Sequence, residues 1–241
     1  MENQTMNVIE HLGELRKRII SVLIFFTVFL IVSFFFVEDI YAFLIKDIEQ
    51  PLAVLSPTDI IWIYFCIASV AALGITTPFF FYHVWKYVSP GLTEEERKSS
   101  VMFIPSFFIL FFLGITFGFY IIFPTVLQFL LGMVNSMFEA VFTVDKYFKF
   151  LFMLTVPLGI IFELPAIVTF LTKIKILTPD ILTKYRKGAY MILVIVSVII
   201  TPPDFISDIL VIVPLFILYE ISIILSKYTY RKVRNEVEVL N

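Results

Sequence analysis

Three consecutive carboxylates, Glu94, Glu95 and Glu96, stand in a short polar stretch, Ser89 to Lys98, between two long apolar runs. A fourth acid, Glu14, lies in the polar N-terminal stretch, beside Arg16, Lys17 and Arg18. Carboxylates so placed accept hydrogen bonds from cations, and the planar fork of arginine fits one through two parallel bonds. The stretch and Glu14 together read as an acidic notch for an arginine-bearing partner. A local explanation competes. Pro90-Gly91 marks a turn, and Thr93 to Glu96 fits a capping box, with Thr93 as N-cap and Glu96 at the third helical position. Glu94 and Glu95 then also favour the positive end of the helix dipole. Capping explains all three glutamates without a partner, and on local physics alone it is the better account of Glu96.

Glu163 is the most costly residue in the chain, sitting within Ile161-Phe162-Glu163-Leu164-Pro165 in the fourth apolar run. An ionised carboxylate at mid-bilayer costs several kcal/mol, so this group should be protonated, partnered or facing a wet cavity. Thr76, Thr77, Thr116, Gln128 and Thr155 are candidate hydrogen-bond partners, and the sequence does not choose among them. A polar functional site around Glu163, Gln128 and Thr155 is the expectation we carry forward, against a merely hydrogen-bonded carboxyl. Gly114 and Gly118 have the spacing that lets helices approach closely, more readily within the chain than between copies. Asp204 and Asp208 follow Thr201-Pro202-Pro203 and have the look of a solvated turn. Glu220 is placed to snorkel or to pair with Lys227.

Enzyme signatures do not appear. The sequence has no Gly-x-x-x-x-Gly-Lys-Ser/Thr phosphate loop and no His-Glu-x-x-His, and no serine in a nucleophile elbow. His11 and His83 are its two histidines, and Cys66 is its one cysteine, so no intrachain disulfide or cysteine-based metal site can form. We expect no catalytic residue, no metal and no cofactor. The charge content holds no basic surplus for nucleic acid.

The elements that must position these residues are membrane spans. Of 241 residues, 60% are hydrophobic and 16% charged, with mean hydropathy +0.97, whereas a soluble domain carries about a quarter charged residues. Residues 1–18 read as an amphipathic helix at the membrane surface, with Val8, Leu12, Leu15 and Ile19 on one stripe. Six apolar runs follow, at about 19–37, 60–84, 101–131, 148–172, 189–200 and 206–225, and 226–241 forms a charged tail expected to fray. No small-x-small cleavage site follows the first run, which is expected to stay as a span. Ser56 and Pro57 form a helix start before the second run. The fifth run, at 12 residues, reaches only about 18 Å as a helix. It is either a short span across a thinned bilayer or half of a hairpin that dips in and returns. With the N-terminus inside and the runs alternating, 15 of the 18 cations fall inside, the bias of the positive-inside rule. Pro78, Pro105, Pro124, Pro157, Pro165 and Pro214 lie within runs and tend to kink them. The expected fold is an all-α polytopic membrane protein, a single domain over 1–241, with six transmembrane helices in a cupped, kinked bundle and both termini cytoplasmic.

His11-Leu12-Gly13-Glu14-Leu15-Arg16-Lys17-Arg18 resembles the opening of the TatC family. Tyr82 to Leu92 followed by Glu96-Arg97 resembles its first cytoplasmic loop, and Phe162-Glu163-Leu164-Pro165 its fourth span. Thr201-Pro202-Pro203-Asp204 and Pro214 to Glu220 resemble its last hairpin. The resemblance implies the polytopic receptor of the twin-arginine translocase, in a bacterial cytoplasmic membrane. It implies that Glu14 and Glu96, with Glu95 and Arg16 beside them, bind twin-arginine signal peptides of folded proteins. It implies that Glu163 lines a polar patch. Its implied partners are TatA-type single-span proteins, with a TatB-type one left open, and the proton gradient is the driving force. Pro90, Leu92, Asp204 and Glu220 are the corresponding candidates for partner contact, and a homo-oligomer within the complex is expected. One departure matters. Many members carry Pro-Ala-Leu-Tyr and a histidine before the key glutamate, where this chain has Pro90-Gly91-Leu92-Thr93 and Glu95, so Glu95 competes with Glu96 for the arginine. The alternative function is a proton-coupled small-molecule transporter using Glu163.

Overall fold

Every long apolar run of the sequence becomes helix, and the breaks within the third and fourth runs fall just ahead of prolines. A computed structural model describes residues 8–46, 52–101, 103–133, 143–202 and 204–240, with the side chains of 8–11, 95, 96, 99 and 233–240 outside the description. The first helix, α1 (Val8–Phe34), carries the N-terminal polar turns and the first apolar run without a break. A turn at Phe35-Phe36 leads into a short outer helix, α2 (Val37–Leu44). The next helix, α3 (Pro57–Val88), starts as the sequence predicts. Ser56 Oγ accepts from the Thr58 N–H (3.3 Å), and Ser56 N–H donates to Asp59 Oδ2 (3.0 Å), closing a capping box ahead of Pro57. A single 3₁₀ turn (Ser89–Gly91) and a seven-residue helix, α4 (Glu94–Ser100), form the polar connection.

The third run divides into α5 (Phe103–Phe117), a π-helical turn (Gly118–Ile122) and α6 (Phe123–Gly132). Pro124 has no N–H to return to the preceding turn and crowds its carbonyl, so the ladder widens just before it. The fourth run divides into α7 (Val144–Ile161) and α8 (Leu164–Lys173), broken at Phe162-Glu163 just ahead of Pro165 for the same reason. Lys175, at φ 61°, turns the chain after α8, and Ile176 N–H closes the helix end on the Leu171 carbonyl (3.0 Å). Then come α9 (Pro179–Lys184), α10 (Arg186–Ile200) and α11 (Phe205–Leu240). The charged tail from Lys227, expected to fray, instead continues α11, because no glycine or proline follows Pro214 to stop it.

Among the described residues, five segments are long and apolar enough to cross a membrane: Leu12–Phe34, Pro57–Gly91, Phe103–Gly132, Val144–Lys173 and Phe205–Lys232. The short fifth run lies in α10, whose 15 residues reach about 22 Å. The all-helical, multi-pass character of the chain follows. The fourth run is the centre of the bundle. Over half of its apolar window (56%) is buried, against 6% for α1. Phe148, Leu151, Leu154 and Leu158 of α7 pack with Ile63 and Ile67 of α3 and with Val211 and Leu215 of α11. Helix α1 lies outside on α3, where Phe25 stacks on Phe79 (4.0 Å between ring centres). Gly114 and Gly118 face α7. A Cβ built on Gly114 falls 2.8 Å from Gly159 Cα, and one on Gly118 falls 3.0 Å from Thr155 Cα. The glycine pair therefore serves packing inside the chain. Val144 N–H donates to the Ala53 carbonyl (3.0 Å), tying the start of α7 to the stretch before α3.

Candidate functional site

Helix α1 brings Glu14 to the last turn of α3. Arg18, one turn after Glu14, donates from Nε to Glu14 Oε1 (3.1 Å) and from Nη2 to the same oxygen. Its Nη2 also donates to the Lys86 carbonyl (3.2 Å), one of the open acceptors at the end of α3. An acid followed by a base at this spacing is the favourable helical order, and a cation near a helix C-terminus is favourable too. Glu14 Oε2 is shielded from solvent and accepts no hydrogen bond among the described residues. Arg16 lies exposed on the same helix.

The polar connection leaves α3 at this point. Ser89 is buried and donates from Oγ to the Lys86 carbonyl (3.2 Å), so Lys86 accepts from both Arg18 and Ser89. Leu92 N–H donates to the Ser89 carbonyl (3.2 Å), closing the turn that Pro90-Gly91 predicts. Pro90 is exposed, and Leu92 packs with Trp85, Phe103 and Phe170. Helix α4 begins at Glu94, which leaves Thr93 at the N-cap position, and Arg97 N–H bonds the Thr93 carbonyl (2.8 Å). Glu95 and Glu96 sit on its first turn, and their side chains lie outside the described residues. The far end of the connection is pinned to α3. Trp85 Nε1 donates to Ser100 Oγ (2.9 Å), and Ser100 Oγ to the Arg97 carbonyl (3.1 Å), with Ser100 fully buried. The acidic stretch thus leaves the end of α3 that Arg18 and Glu14 meet, and its far end is pinned back to α3 through Trp85 and Ser100. Sequence reasoning missed the pins, Arg18, Ser89, Trp85 and Ser100. The spacing of Glu14 and Arg18 was the one signal available for them.

The intramembrane cluster of Glu163, Gln128 and Thr155 does not assemble. Glu163 is 2% exposed at the break between α7 and α8, and neither carboxyl oxygen has a hydrogen-bond partner among the described residues. Thr155 turns its hydroxyl back to the Leu151 carbonyl (2.8 Å), and Thr77 does the same to Leu73 (2.8 Å). Gly118 faces Thr155 while Gly114 faces Gly159 and Phe162, so α5–α6 runs antiparallel to α7. Gln128 then lies on one side of that level and Glu163 on the other, roughly 25 Å apart at the rise of a helix, and Gln128 is exposed. One cavity lies at the break and a second lies further along α7. The first, of about 600 Å³, lies between α5, α8 and α11 and is lined by Leu110, Phe162, Pro165, Pro214 and Leu218 among others. The second, of about 470 Å³, is walled by Phe111, Ile115, Thr116, Leu151 and Thr155 with residues of α2 and α3. Glu163 lines neither.

The last hairpin is locked at both ends. Asp204 caps α11, its Oδ1 accepting from Ser207 N–H (2.8 Å). Thr201 donates its hydroxyl to Asp208 and to the Ser197 carbonyl (2.9 Å), so these groups form a cross-helix network in place of a solvated turn. Glu220 does not pair with Lys227. It accepts from Arg186 Nη2 (3.0 Å) and from the Tyr190 hydroxyl, both on α10. Lys227 lies two turns further along α11, whereas Arg186 and Tyr190 stand directly across from Glu220.

No group of three or more histidine, cysteine or acidic residues among the described ones could hold a metal ion. Fold and site define a multi-pass helical membrane protein with a built polar platform at one end of its bundle. The family model described as Sec-independent protein translocase protein (TatC) matches residues 10–214. The chain is 47% identical over 232 residues to the translocase protein TatCd of Bacillus subtilis (strain 168), covering 96% of each. It is 40% identical to TatCy of the same organism, covering 96% of this chain and 93% of that one. A solved structure described as the twin arginine translocase receptor TatC superposes with TM-score 0.80 at 33% identity, over 91% of this chain and 99% of that one. The chain belongs to the TatC family.

Proposed function

We propose that this protein is the receptor subunit of a twin-arginine translocase. On this reading it binds the paired arginines of signal peptides at Glu14 and at Glu96 or Glu95, with Arg16 at the rim. It spans a bacterial cytoplasmic membrane six times with both ends cytoplasmic, α10 supplying the short fifth span. It recruits TatA-type single-span proteins, using contacts that include Pro90, Leu92, Asp204 and Glu220, and export of folded proteins draws on the proton gradient. The observation that carries the reading is the bond from Arg18 to the Lys86 carbonyl (3.2 Å). It holds Glu14 against the helix end from which the acidic stretch departs, so that acids far apart in sequence can serve one ligand with two cations. The positive-inside distribution of lysine and arginine supports the orientation. The alternative, a proton-coupled transporter using Glu163, needs a polar path to that carboxyl, and the cavity at the break beside it has mostly apolar walls.

The test is binding of a twin-arginine signal peptide to the full chain in nanodiscs, at two salt concentrations, with Glu96→Gln beside the parent. Glutamine keeps the hydrogen bond of a capping box and removes the charge. Weakening by about 2–5 kcal/mol with thermal stability kept is the expected result for a broken charge pair. Unchanged binding assigns Glu96 to capping and moves the site to Glu95. Failure of the parent to retain the peptide rejects the receptor reading.

A further inference from the structure

We infer that Arg18 is a positioning residue for the arginine site: it holds one oxygen of Glu14 and leaves the other as the acceptor for an incoming guanidinium. The inference rests on the receptor reading above and adds a residue to its site.

An arginine that merely neutralised Glu14 would lie against both carboxylate oxygens, the geometry its fork favours. Arg18 does not. Its Nε (3.1 Å) and Nη2 both go to Oε1, and Oε2 receives nothing from the described residues. The cause is the third bond. The Nη2 that meets Oε1 also reaches the Lys86 carbonyl (3.2 Å), which ties the guanidinium to the end of α3 as well as to Oε1. That carbonyl is itself held by the Ser89 hydroxyl (3.2 Å) at the start of the acidic connection. The chain thus runs Oε1, guanidinium, helix end, loop, and the side chains of Arg18 and Glu14 are only 13% and 23% exposed. A charged oxygen shielded from water without a donor is a costly arrangement to keep. It becomes favourable when a ligand brings the donor. Clamping Glu14 beforehand also removes the rotamer freedom that the ligand would otherwise have to freeze. The opposite role, Arg18 as a resident competitor that a signal peptide must displace, predicts the opposite sign on mutation.

The experiment compares full-length parent, Arg18→Gln, Arg18→Lys, Glu14→Gln and Arg18→Gln/Glu14→Gln in nanodiscs. Each is titrated with a twin-arginine signal peptide and its twin-lysine counterpart. Arg18→Gln is expected to weaken the twin-arginine peptide by about tenfold, the scale of one charge-assisted contact, and to lower arginine-over-lysine discrimination while thermal stability holds. The double variant is expected to bind no worse than Glu14→Gln, since Arg18 acts through Glu14. Should Arg18→Gln not fold, Arg18→Lys is read the same way, because it keeps the charge and loses the fork. Unchanged binding, unchanged discrimination or an additive double loss overturns the clamp alone. Tighter binding overturns it in favour of the competitor. A parent that does not distinguish the peptides overturns the clamp together with the receptor reading.

Discussion

Replacing Gly114 by alanine should destabilise this protein more than any other single added methyl at a described glycine of α5 or α3. The methyl would sit 2.8 Å from Gly159 Cα and 2.8 Å from Cβ and Cγ of Phe162. Ordinary carbon contacts lie at about 3.5–4.0 Å, so α5 and α7 would have to separate by about 1 Å. The nearest atom is backbone, which cannot rotate aside, and α7 is the most buried helix of the bundle. Overpacking costs about 1–3 kcal/mol, and this site belongs at the upper end. At about 2–4 °C per kcal/mol for a chain of this size, the midpoint should fall by roughly 5–10 °C. Gly188 is the control, since a Cβ there meets nothing within 4 Å. Gly74 is a second, with its nearest contact 3.4 Å away at the tip of Phe112. Thermal unfolding of the purified protein in one detergent, followed by tryptophan emission, reads all three. If Gly114→Ala melts with Gly188→Ala, the α5–α7 contact is not the tight seam described, and the antiparallel level that separates Gln128 from Glu163 loses its support.

Other outcomes follow from the same contacts. Glu163→Gln should leave the unfolding free energy within about 0.5 kcal/mol of the parent, because the amide replaces a carboxyl that makes no hydrogen bond among the described residues. A large loss would reveal a partner for the charged form. Thr201→Val should cost about 1–3 kcal/mol, since it removes a hydroxyl with two acceptors and strands the half-buried Asp208. Hydrogen exchange should then rise first at the α10–α11 turn. Arg186→Gln should cost less than about 1 kcal/mol, because the ion pair is more than a third exposed and screened by solvent. A larger effect, or one insensitive to salt, would show that Glu220 is held by more than this pair and Tyr190.

The sequence by itself determined the number and place of the apolar runs, the breaks at Pro124 and Pro165, the capped start at Ser56-Pro57 and the acidic stretch between two runs. These are local matters: hydropathy, a missing N–H or a cap is written in a few adjacent residues. It also supplied the glycine pair whose spacing meant close helix approach, although not the helix approached. Only the tertiary structure decided which distant groups meet. Glu14 is joined through Arg18 to Lys86, at the end of α3 from which the acidic stretch departs, because α1 lies on α3. Glu220 faces Arg186 because α10 folds back on α11, and that contact wins over Lys227 two turns away on its own helix. Gln128 was a candidate partner for Glu163 until the antiparallel packing of α5–α6 on α7 placed it at another depth, and Thr155 turns its hydroxyl to its own helix instead. Polar pairing in a bundle depends on helix level and rotation, which follow from how all the apolar faces pack at once, and no single stretch of sequence encodes that.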